Sequence, residues 1–302
     1  MTTILRPGQF GVSSGEIPEW RPPDPGVFAQ RARRLRQLAA GHSMATYLEF
    51  SAALAEAQQA QFDALAALPL PDATSLARRR EHGMPPLAPA GWPPDPVWRA
   101  VAVRLADEID TIAPEPARAA FARLRGAGAD WLEAQAKALL AEDRQALDLA
   151  CAPLIGAALQ VCWTRLAAAL DATWIARPEA SHSCPVCGQP PVAAVVRAGD
   201  ADSGRRYLHC ALCGTEWHVV RAQCSQCDND KGIVYFAVEN SKQPIQAEAC
   251  PECGSYLKLC RLEKTPEAEP LADDLASIAL DLLMGEEKFA RSGLNYFMLQ
   301  NG

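Results

Sequence analysis

Eight of the 11 cysteines form four pairs with the spacing Cys-X-X-Cys, and these pairs recur with a fixed period. Twenty-two residues separate the first pair from the second, and 22 separate the third from the fourth. Cys224 therefore follows Cys184 by 40 residues. The pairs are Cys184/Cys187, Cys210/Cys213, Cys224/Cys227 and Cys250/Cys253. The repeat therefore predicts two tandem copies of one metal-binding unit.

The spacing of each pair predicts metal ligation. Two residues between cysteines fold into a tight knuckle that points both thiolates at one ion, and two knuckles complete a tetrahedral site with four sulfurs. The residue after each pair is Gly188, Gly214, Asp228 and Gly254 in turn. Glycine, and to a lesser degree aspartate, accepts the left-handed conformation that such a turn requires. We therefore predict that all eight paired cysteines are metal ligands.

Two aspects of these sites stay open at the level of the sequence. Grouping the first pair with the second and the third with the fourth is favoured, but a cross-braced grouping is the alternative because only 10 residues separate Cys213 from Cys224. Tetrahedral sulfur sites suit iron or zinc, and the spacing does not distinguish between these metals.

The remaining cysteines do not extend the pattern. Cys151 and Cys162 lie in an apolar segment, where free cysteine packs as a small hydrophobic residue, and Cys260 lies in a predicted strand. A thioredoxin-type site needs a single Cys-X-X-Cys at the start of a helix that follows a strand, and four regularly spaced pairs fit ligation better. We therefore predict that the protein is not an enzyme.

Residues 1–177 contain only two of the 11 cysteines and are rich in alanine and leucine at helical spacing. Asp24-Pro25 and Asp95-Pro96 are typical helix starts, and Asp130 with Glu133 is typical of a capping box. We predict helices over about 25–40, 44–68, 96–112, 115–126, 131–142 and 145–175.

Two segments of this helical part have special features. Seven prolines between residues 69 and 94 predict a long connection with little regular structure. The segment 145–175 is apolar nearly all round, which predicts the central buried helix of a bundle, and Pro153 is expected to kink or split it.

Residues 178–265 contain the other nine cysteines together with runs of strand-forming residues, and Thr265-Pro266 predicts the start of an amphipathic helix that continues to about Phe289. The predicted fold class is α+β: an all-helical N-terminal domain, two tandem rubredoxin-like or zinc-ribbon β modules and a C-terminal helix. The predicted bounds are 1–177 for the helical domain, 178–222 and 223–265 for the modules, and 266–302 for the C-terminal helix and tail.

Charge and hydropathy restrict the partners. The chain has 29 Lys and Arg against 36 Asp and Glu, a net charge of −7, which argues against a nucleic-acid-binding protein. Its first residues lack the pattern of a signal peptide, and the apolar run at 149–159 is too short to span a bilayer. Paired cysteines in a reducing compartment favour metal ligation over disulfides. We predict a cytoplasmic protein without a membrane span.

Several segments resemble one bacterial family, the FdhE proteins, which are accessory or formation proteins of formate dehydrogenase. The resemblance covers about 184–298 and is only compositional in the helical part. It is carried by Cys184-Pro-Val-Cys-Gly188, Tyr207-Leu-His-Cys-Ala-Leu-Cys-Gly-Thr-Glu-Trp-His-Val-Val-Arg221, Cys250-Pro-Glu-Cys-Gly-Ser-Tyr-Leu-Lys258, Ala272-Asp-Asp-Leu-Ala-Ser-Ile-Ala-Leu-Asp281 and Phe289-Ala-Arg-Ser-Gly-Leu-Asn295.

The resemblance implies a cytoplasmic biogenesis factor for the respiratory, molybdenum-dependent formate dehydrogenase. It implies binding to the immature catalytic subunit of that enzyme, and iron held in rubredoxin-type sites by the eight paired cysteines. The third pair departs from the family pattern because Asp228 stands where the other pairs have glycine. Two other functions remain as alternatives: a zinc-ribbon module that binds nucleic acid or the transcription machinery, and a rubredoxin-like electron carrier.

Overall fold

The computed structural model describes residues 18–90, 96–176, 182–198, 204–239 and 245–298. The described helices are α1 (Val27–Ala39), α2 (Ala45–Ala64), α3 (Ala73–Glu81), α4 (Val97–Ile109), α5 (Glu115–Gly126), α6 (Ala129–Leu140), α7 (Ala152–Ala169), α8 (Pro270–Ala276) and α9 (Ile278–Glu286). The described strands are β1 (Trp20–Arg21), β2 (Pro191–Val196), β3 (Arg206–Cys210), β4 (Glu216–His218), β5 (Val234–Phe236), β6 (Ile245–Cys250), β7 (Ser255–Arg261) and β8 (Ala290–Arg291). The α+β fold class is confirmed.

Helix α7 is the centre of the helical bundle, as predicted, but it is shorter than its apolar pattern. It begins at Ala152, and Pro153 occupies its first turn, so the proline starts the helix and the predicted kink is wrong. The physical reason is that a first-turn residue has no helical acceptor for its N–H, so proline loses nothing there. By length and composition α7 could cross a membrane, but 78% of it is buried inside the protein, as in a core helix.

Two predicted helix starts differ in detail from the structure. The N-cap of α1 is Gly26, because the Asp24 carboxylate accepts a hydrogen bond from the N–H of Gly26 instead of from the helix. The N-cap of α6 is Gly128, so Asp130 lies inside the first turn. There its charge still interacts favourably with the positive end of the helix dipole. Asp95 lies outside the described residues.

Two further helix predictions are corrected. Helix α3 lies within the proline-rich connection and is capped by Asp72, whose carboxylate accepts a hydrogen bond from the N–H of Ser75 at 2.9 Å. The C-terminal helix begins at Pro270 with Glu269 as its cap, not at Thr265, and Ser277 divides it into α8 and α9. Side-chain caps decide these limits, and periodicity alone does not reveal which polar residue acts as the cap.

One mixed sheet contains strands from both cysteine-rich units. Its order is β1-β4-β3-β2-β7-β6-β5, and β8 also pairs with β7. The units join where β2 runs parallel to β7, with Val195 opposite Cys260. A strand from the helical N-terminal part extends the sheet, since Trp20 pairs with Trp217. The two modules are therefore continuous through backbone hydrogen bonds, which the sequence repeat does not reveal.

The C-terminal tail docks on α7. Tyr296 is fully buried, and a Cβ added at Gly156 of α7 would lie 2.7 Å from the Cβ of Tyr296. The hydroxyl of Tyr47 donates a hydrogen bond to the carbonyl of Phe297 at 2.5 Å. Gly156 thus permits the close approach that holds the tail against the bundle.

We expect Gly156→Ala to lower the free energy of unfolding by about 1–3 kcal/mol, because the added methyl group overlaps Tyr296 in a packed interior. Urea denaturation followed by circular dichroism measures the change. Gly285→Ala is the matched control, since Gly285 also lies within a helix and a Cβ there meets no atom within 4 Å. Equal stability of the two variants would contradict the close contact between α7 and the tail.

Candidate metal centres

The first two cysteine pairs converge on one point. The Sγ atom of Cys184 lies 3.6 Å from that of Cys213, and the Sγ atom of Cys187 lies 3.4 Å from that of Cys210. All four sulfurs lie within 4.8 Å of one another. A tetrahedral site with metal–sulfur bonds of about 2.3 Å has sulfur–sulfur edges of about 3.8 Å. The geometry of this first cluster therefore fits a four-sulfur metal site.

The third and fourth pairs form the second cluster. Sγ of Cys224 lies 3.7 Å from that of Cys253, and Sγ of Cys227 lies 3.8 Å from that of Cys250. These four sulfurs also lie within 4.8 Å of one another. The grouping is sequential in both clusters, so the cross-braced alternative is wrong.

All four knuckles share the left-handed turn that the sequence predicts. The residue after each second cysteine has φ +76° at Gly188, +70° at Gly214, +59° at Asp228 and +68° at Gly254. In the third knuckle the N–H of Asp228 donates a hydrogen bond to the carbonyl of Cys224 at 3.2 Å, as the N–H of Gly254 does to Cys250. The aspartate therefore preserves the knuckle geometry of the second cluster.

We expect Asp228→Gly to keep or raise the stability of the second cluster and Asp228→Val to lower it by about 1–2 kcal/mol, because a β-branched residue is strained in the left-handed region. Competition between each variant and a metal chelator measures the difference. Indistinguishable metal affinities for the glycine and valine variants would contradict the role of this turn.

The two clusters differ in burial. All four thiols of the first cluster are buried, at most 1% exposed, whereas Cys227 and Cys253 of the second are exposed. The spacer residues give the reason. In the first cluster they are Pro185-Val186 and Ala211-Leu212, and all four are buried; in the second they are Ser225-Gln226 and Pro251-Glu252, of which only Ser225 is buried.

The first cluster lies against the helical bundle. The N–H of Leu87 donates to the carbonyl of Val186 at 2.8 Å, and the side-chain amide of Gln160 on α7 donates to the carbonyl of Ala211 at 2.7 Å. Since Val186 and Ala211 are spacer residues, each knuckle of this cluster is attached to the bundle by a hydrogen bond. The first cluster is therefore part of the contact between the bundle and the sheet.

The pKa values of the thiols in the first cluster are also consistent with the binding of a cation. Burial raises the pKa of Cys184 and Cys187 well above the ordinary range of a thiol. Burial acts in the same direction on Cys213, but hydrogen bonds from the other three cysteines and Thr215 overcome it and hold the pKa of Cys213 well below that range. Because a metal ligand must be deprotonated, a thiol whose pKa is lowered in this way is prepared to bind a thiophilic metal ion.

Polar groups support the second cluster. Burial opposes the ionisation of Cys250, but the backbone N–H of Cys253 and the amide of Asn229 lower the pKa of Cys250 to about 7. The Asn229 amide donates to Sγ of Cys250 at 3.5 Å, and the hydroxyl oxygen of Ser255 lies 3.0 Å from Sγ of Cys253. Such hydrogen bonds favour the thiolate form that binds metals.

The other cysteines and a histidine lie outside both clusters. Cys151, Cys162 and Cys260 are buried, and none of the three belongs to either cluster. His209 is buried beside Cys210, but its Nδ1 atom lies 3.3 Å from the Glu216 carboxylate instead of facing a metal site.

Two arginines of the cysteine-rich part are paired with carboxylates. Arg197 donates to Glu216 at 2.5 Å, and Arg206, which is buried, donates to Glu248 at 2.9 Å. These guanidinium groups therefore neutralise buried carboxylates of the sheet.

A buried ionic network between strand β7 and the C-terminal segments is a feature that the sequence reasoning missed. Lys258 and Asp274 are fully buried, and their Nζ and Oδ1 atoms lie 3.2 Å apart. Arg291 reaches the other oxygen of Asp274 at 2.7 Å, and Asp281 pairs with Lys258 at 2.7 Å. Asn295 also donates to Asp274 at 2.8 Å. This ionic network ties β7, α8, α9 and the tail together.

The adjacent aspartate connects the same helix to the bundle. The carboxylate of Asp273 accepts two hydrogen bonds from Arg34 on α1, at 2.6 and 2.8 Å. Consecutive charges in the otherwise apolar helix α8 were the available signal, because buried charges in proteins are nearly always paired.

Known protein families and relatives match nearly the whole chain. Three domain profiles match: "FdhE, N-terminal" over residues 17–179, "FdhE, central domain" over 183–221 and "FdhE, C-terminal domain" over 222–298. A Protein FdhE homolog of Pseudomonas aeruginosa is 39% identical over 99% of each chain, and one of Edwardsiella ictaluri is 41% identical over 90% of this chain and 88% of its own.

A solved structure agrees with these matches. The crystal structure of the FdhE protein from Pseudomonas aeruginosa superposes with a TM-score of 0.87 at 38% identity, and the match covers 94% of this chain and all of that one. The match includes the sheet and also the helical bundle. In the bundle the sequence resemblance was only compositional. The chain belongs to the FdhE family.

Proposed function

We propose that this protein is a cytoplasmic accessory protein, without catalytic activity of its own, that serves the biogenesis of the respiratory molybdenum-dependent formate dehydrogenase. It binds the immature catalytic subunit of that enzyme before export. The observation that carries this proposal is the FdhE fold with both four-cysteine clusters intact, which joins the family's sequence motifs to a preformed pair of metal sites.

We propose further that iron occupies both clusters, held by Cys184, Cys187, Cys210 and Cys213 in the first and by Cys224, Cys227, Cys250 and Cys253 in the second. Four thiolates with one divalent ion leave a net charge of about −2 at each site. At the first cluster, the backbone N–H groups of Val186 and Leu212, each 3.4 Å from a sulfur, offset part of this charge. Iron in such sites supplies one-electron redox chemistry, whereas zinc supplies only structural support.

Affinity capture tests the partner. Tagged protein, incubated with an extract that contains the catalytic subunit, is expected to retain that subunit through washes in high salt. An unrelated cytoplasmic enzyme in the same extract serves as the negative control. Absence of the catalytic subunit from the retained fraction would contradict the accessory role, and retention of nucleic acid that decreases with salt would favour the zinc-ribbon alternative.

Metal analysis with visible spectroscopy tests the cofactor. Protein purified in air without added metal is expected to contain about two iron ions per chain and to show thiolate-to-iron charge-transfer bands that bleach on reduction. Colourless protein with two zinc ions would replace iron by zinc and would make both clusters structural.

A further inference from the structure

The second cluster has a solvent path that the first lacks. Cys227 and Cys253 are exposed, and so are the neighbouring spacer residues Gln226 and Glu252. Two further exposed side chains, Val234 and Tyr235, lie on strand β5 of the same module. A chelator or a thiol can therefore reach sulfur ligands of the second cluster in the folded protein.

In the described part of the chain, the first cluster has no such path. Its four sulfurs are covered by their own apolar spacers, and those spacers are hydrogen-bonded to the bundle through Leu87 and Gln160. An incoming ligand must wait until the contact between bundle and sheet opens. Openings of packed core regions are much rarer than motions at an exposed edge.

We propose that the second cluster is the exchangeable metal site of this protein, open to thiols and other soft donors, whereas the first cluster releases its metal only when the contact between the bundle and the sheet opens. This inference rests on the proposed metal binding. When a chelator removes the ion, the four thiolates of the second cluster take up protons from solvent, so the exchange requires no oxidant or reductant. The ligand class follows from the sulfur donor set, which selects thiophilic metals and tolerates thiol competitors.

Chelator competition on the full chain tests this assignment. Protein loaded with two zinc ions is mixed with an excess of 4-(2-pyridylazo)resorcinol, and metal transfer is followed by absorbance while iodoacetamide marks each thiol as it becomes free. We expect one zinc to leave at least about 100-fold faster than the other, because the second release needs a local opening. Mass spectrometry is expected to find the early label on Cys227 and Cys253.

Two matched cysteine variants show which cluster releases its metal in the fast phase and which in the slow phase. Cys227→Ser and Cys187→Ser remove the same position of the repeat from the second and the first cluster. The first variant is expected to lose the fast phase and keep the slow one. Cys187→Ser, if it folds, is expected to lose the slow phase and keep the fast one. Because this variant removes a ligand of the buried cluster, the labelling order in the unmodified chain is the decisive measurement.

Two results separate this inference from the proposed function. A chain that binds no metal contradicts the proposed metal sites and this inference with them. A chain that binds two ions but releases both in a single phase, or whose Cys184 and Cys187 are labelled first, contradicts the inference alone.

Discussion

A Cys184→Ser chain is expected to lose the metal of the first cluster and to fail to reach the native fold. Metal binding at a structural four-ligand zinc site contributes about 10–16 kcal/mol to folding, which matches or exceeds the net stability of about 5–15 kcal/mol that domains possess. The first cluster also lies between the bundle and the sheet, so its loss affects both. Far-UV circular dichroism, limited proteolysis and metal content measure the outcome.

The control for this variant is Cys162→Ala, which removes a buried thiol outside both clusters. It is expected to retain both metal ions and to lose about 1 kcal/mol of stability, as is usual for a small change in a core. A Cys184→Ser protein with the wild-type unfolding midpoint would show that the first cluster does not stabilise the fold.

Replacement of Asp274 by alanine is expected to cost about 3–5 kcal/mol, because it leaves the buried Lys258 and the partly buried Arg291 with only Asp281 to balance two positive charges. Chemical denaturation measures the loss. The control is Arg36→Ala, which breaks an exposed ion pair with Glu56 and is expected to cost at most about 1 kcal/mol. A similar cost for both variants would show that the ionic network does not stabilise the C-terminal segments.

The carboxylate of Asp274 is expected to make the free energy of unfolding depend on pH. Burial alone would raise the pKa of Asp274, but Arg291 and Lys258 overcome this effect and hold the pKa below its ordinary value. The stabilisation from Asp274 is therefore fully present above about pH 4, where the residue ionises in the unfolded chain, and is lost as the pH falls through the lower native value.

A pH series measures this dependence. The difference in unfolding free energy between the wild type and Asp274→Asn is expected to be constant near neutral pH and to shrink below pH 4. A difference that grows with acidification would reverse the assigned direction of the pKa.

The clusters could be predicted because their information is local. A two-residue spacer with a glycine or aspartate after it specifies a knuckle by itself. The equal gaps favoured the sequential grouping of the knuckles, and the positions of the sulfurs were needed to exclude the cross-braced one. The helices of the bundle were predictable for a similar reason, since an apolar period of 3.6 is set within each segment. The ends of the helices, in the bundle and at the C-terminus, were less accurate because caps such as Gly26 and Glu269 depend on competing local hydrogen bonds.

The rest depends on contacts between distant residues. The ionic network joins Lys258 to Arg291, and the sheet pairs Trp20 with Trp217. No periodicity in the chain specifies such pairings, because they are fixed only when the elements pack. The domain bounds at 177/178, 222/223 and 265/266 remain predictions; the continuous sheet runs across the boundary between the two modules.

Because β2 runs parallel to β7, the three strands of the second module repeat the arrangement of the three strands of the first along the sheet. Strand β5 stands in the second module where β2 stands in the first, so it carries the edge to which a third module would attach. It spans only three residues, against six in β2, and natural sheets block further growth with short edge strands of this kind. An engineered chain with β5 lengthened to match β2 would therefore polymerise edge to edge more readily than the natural protein does.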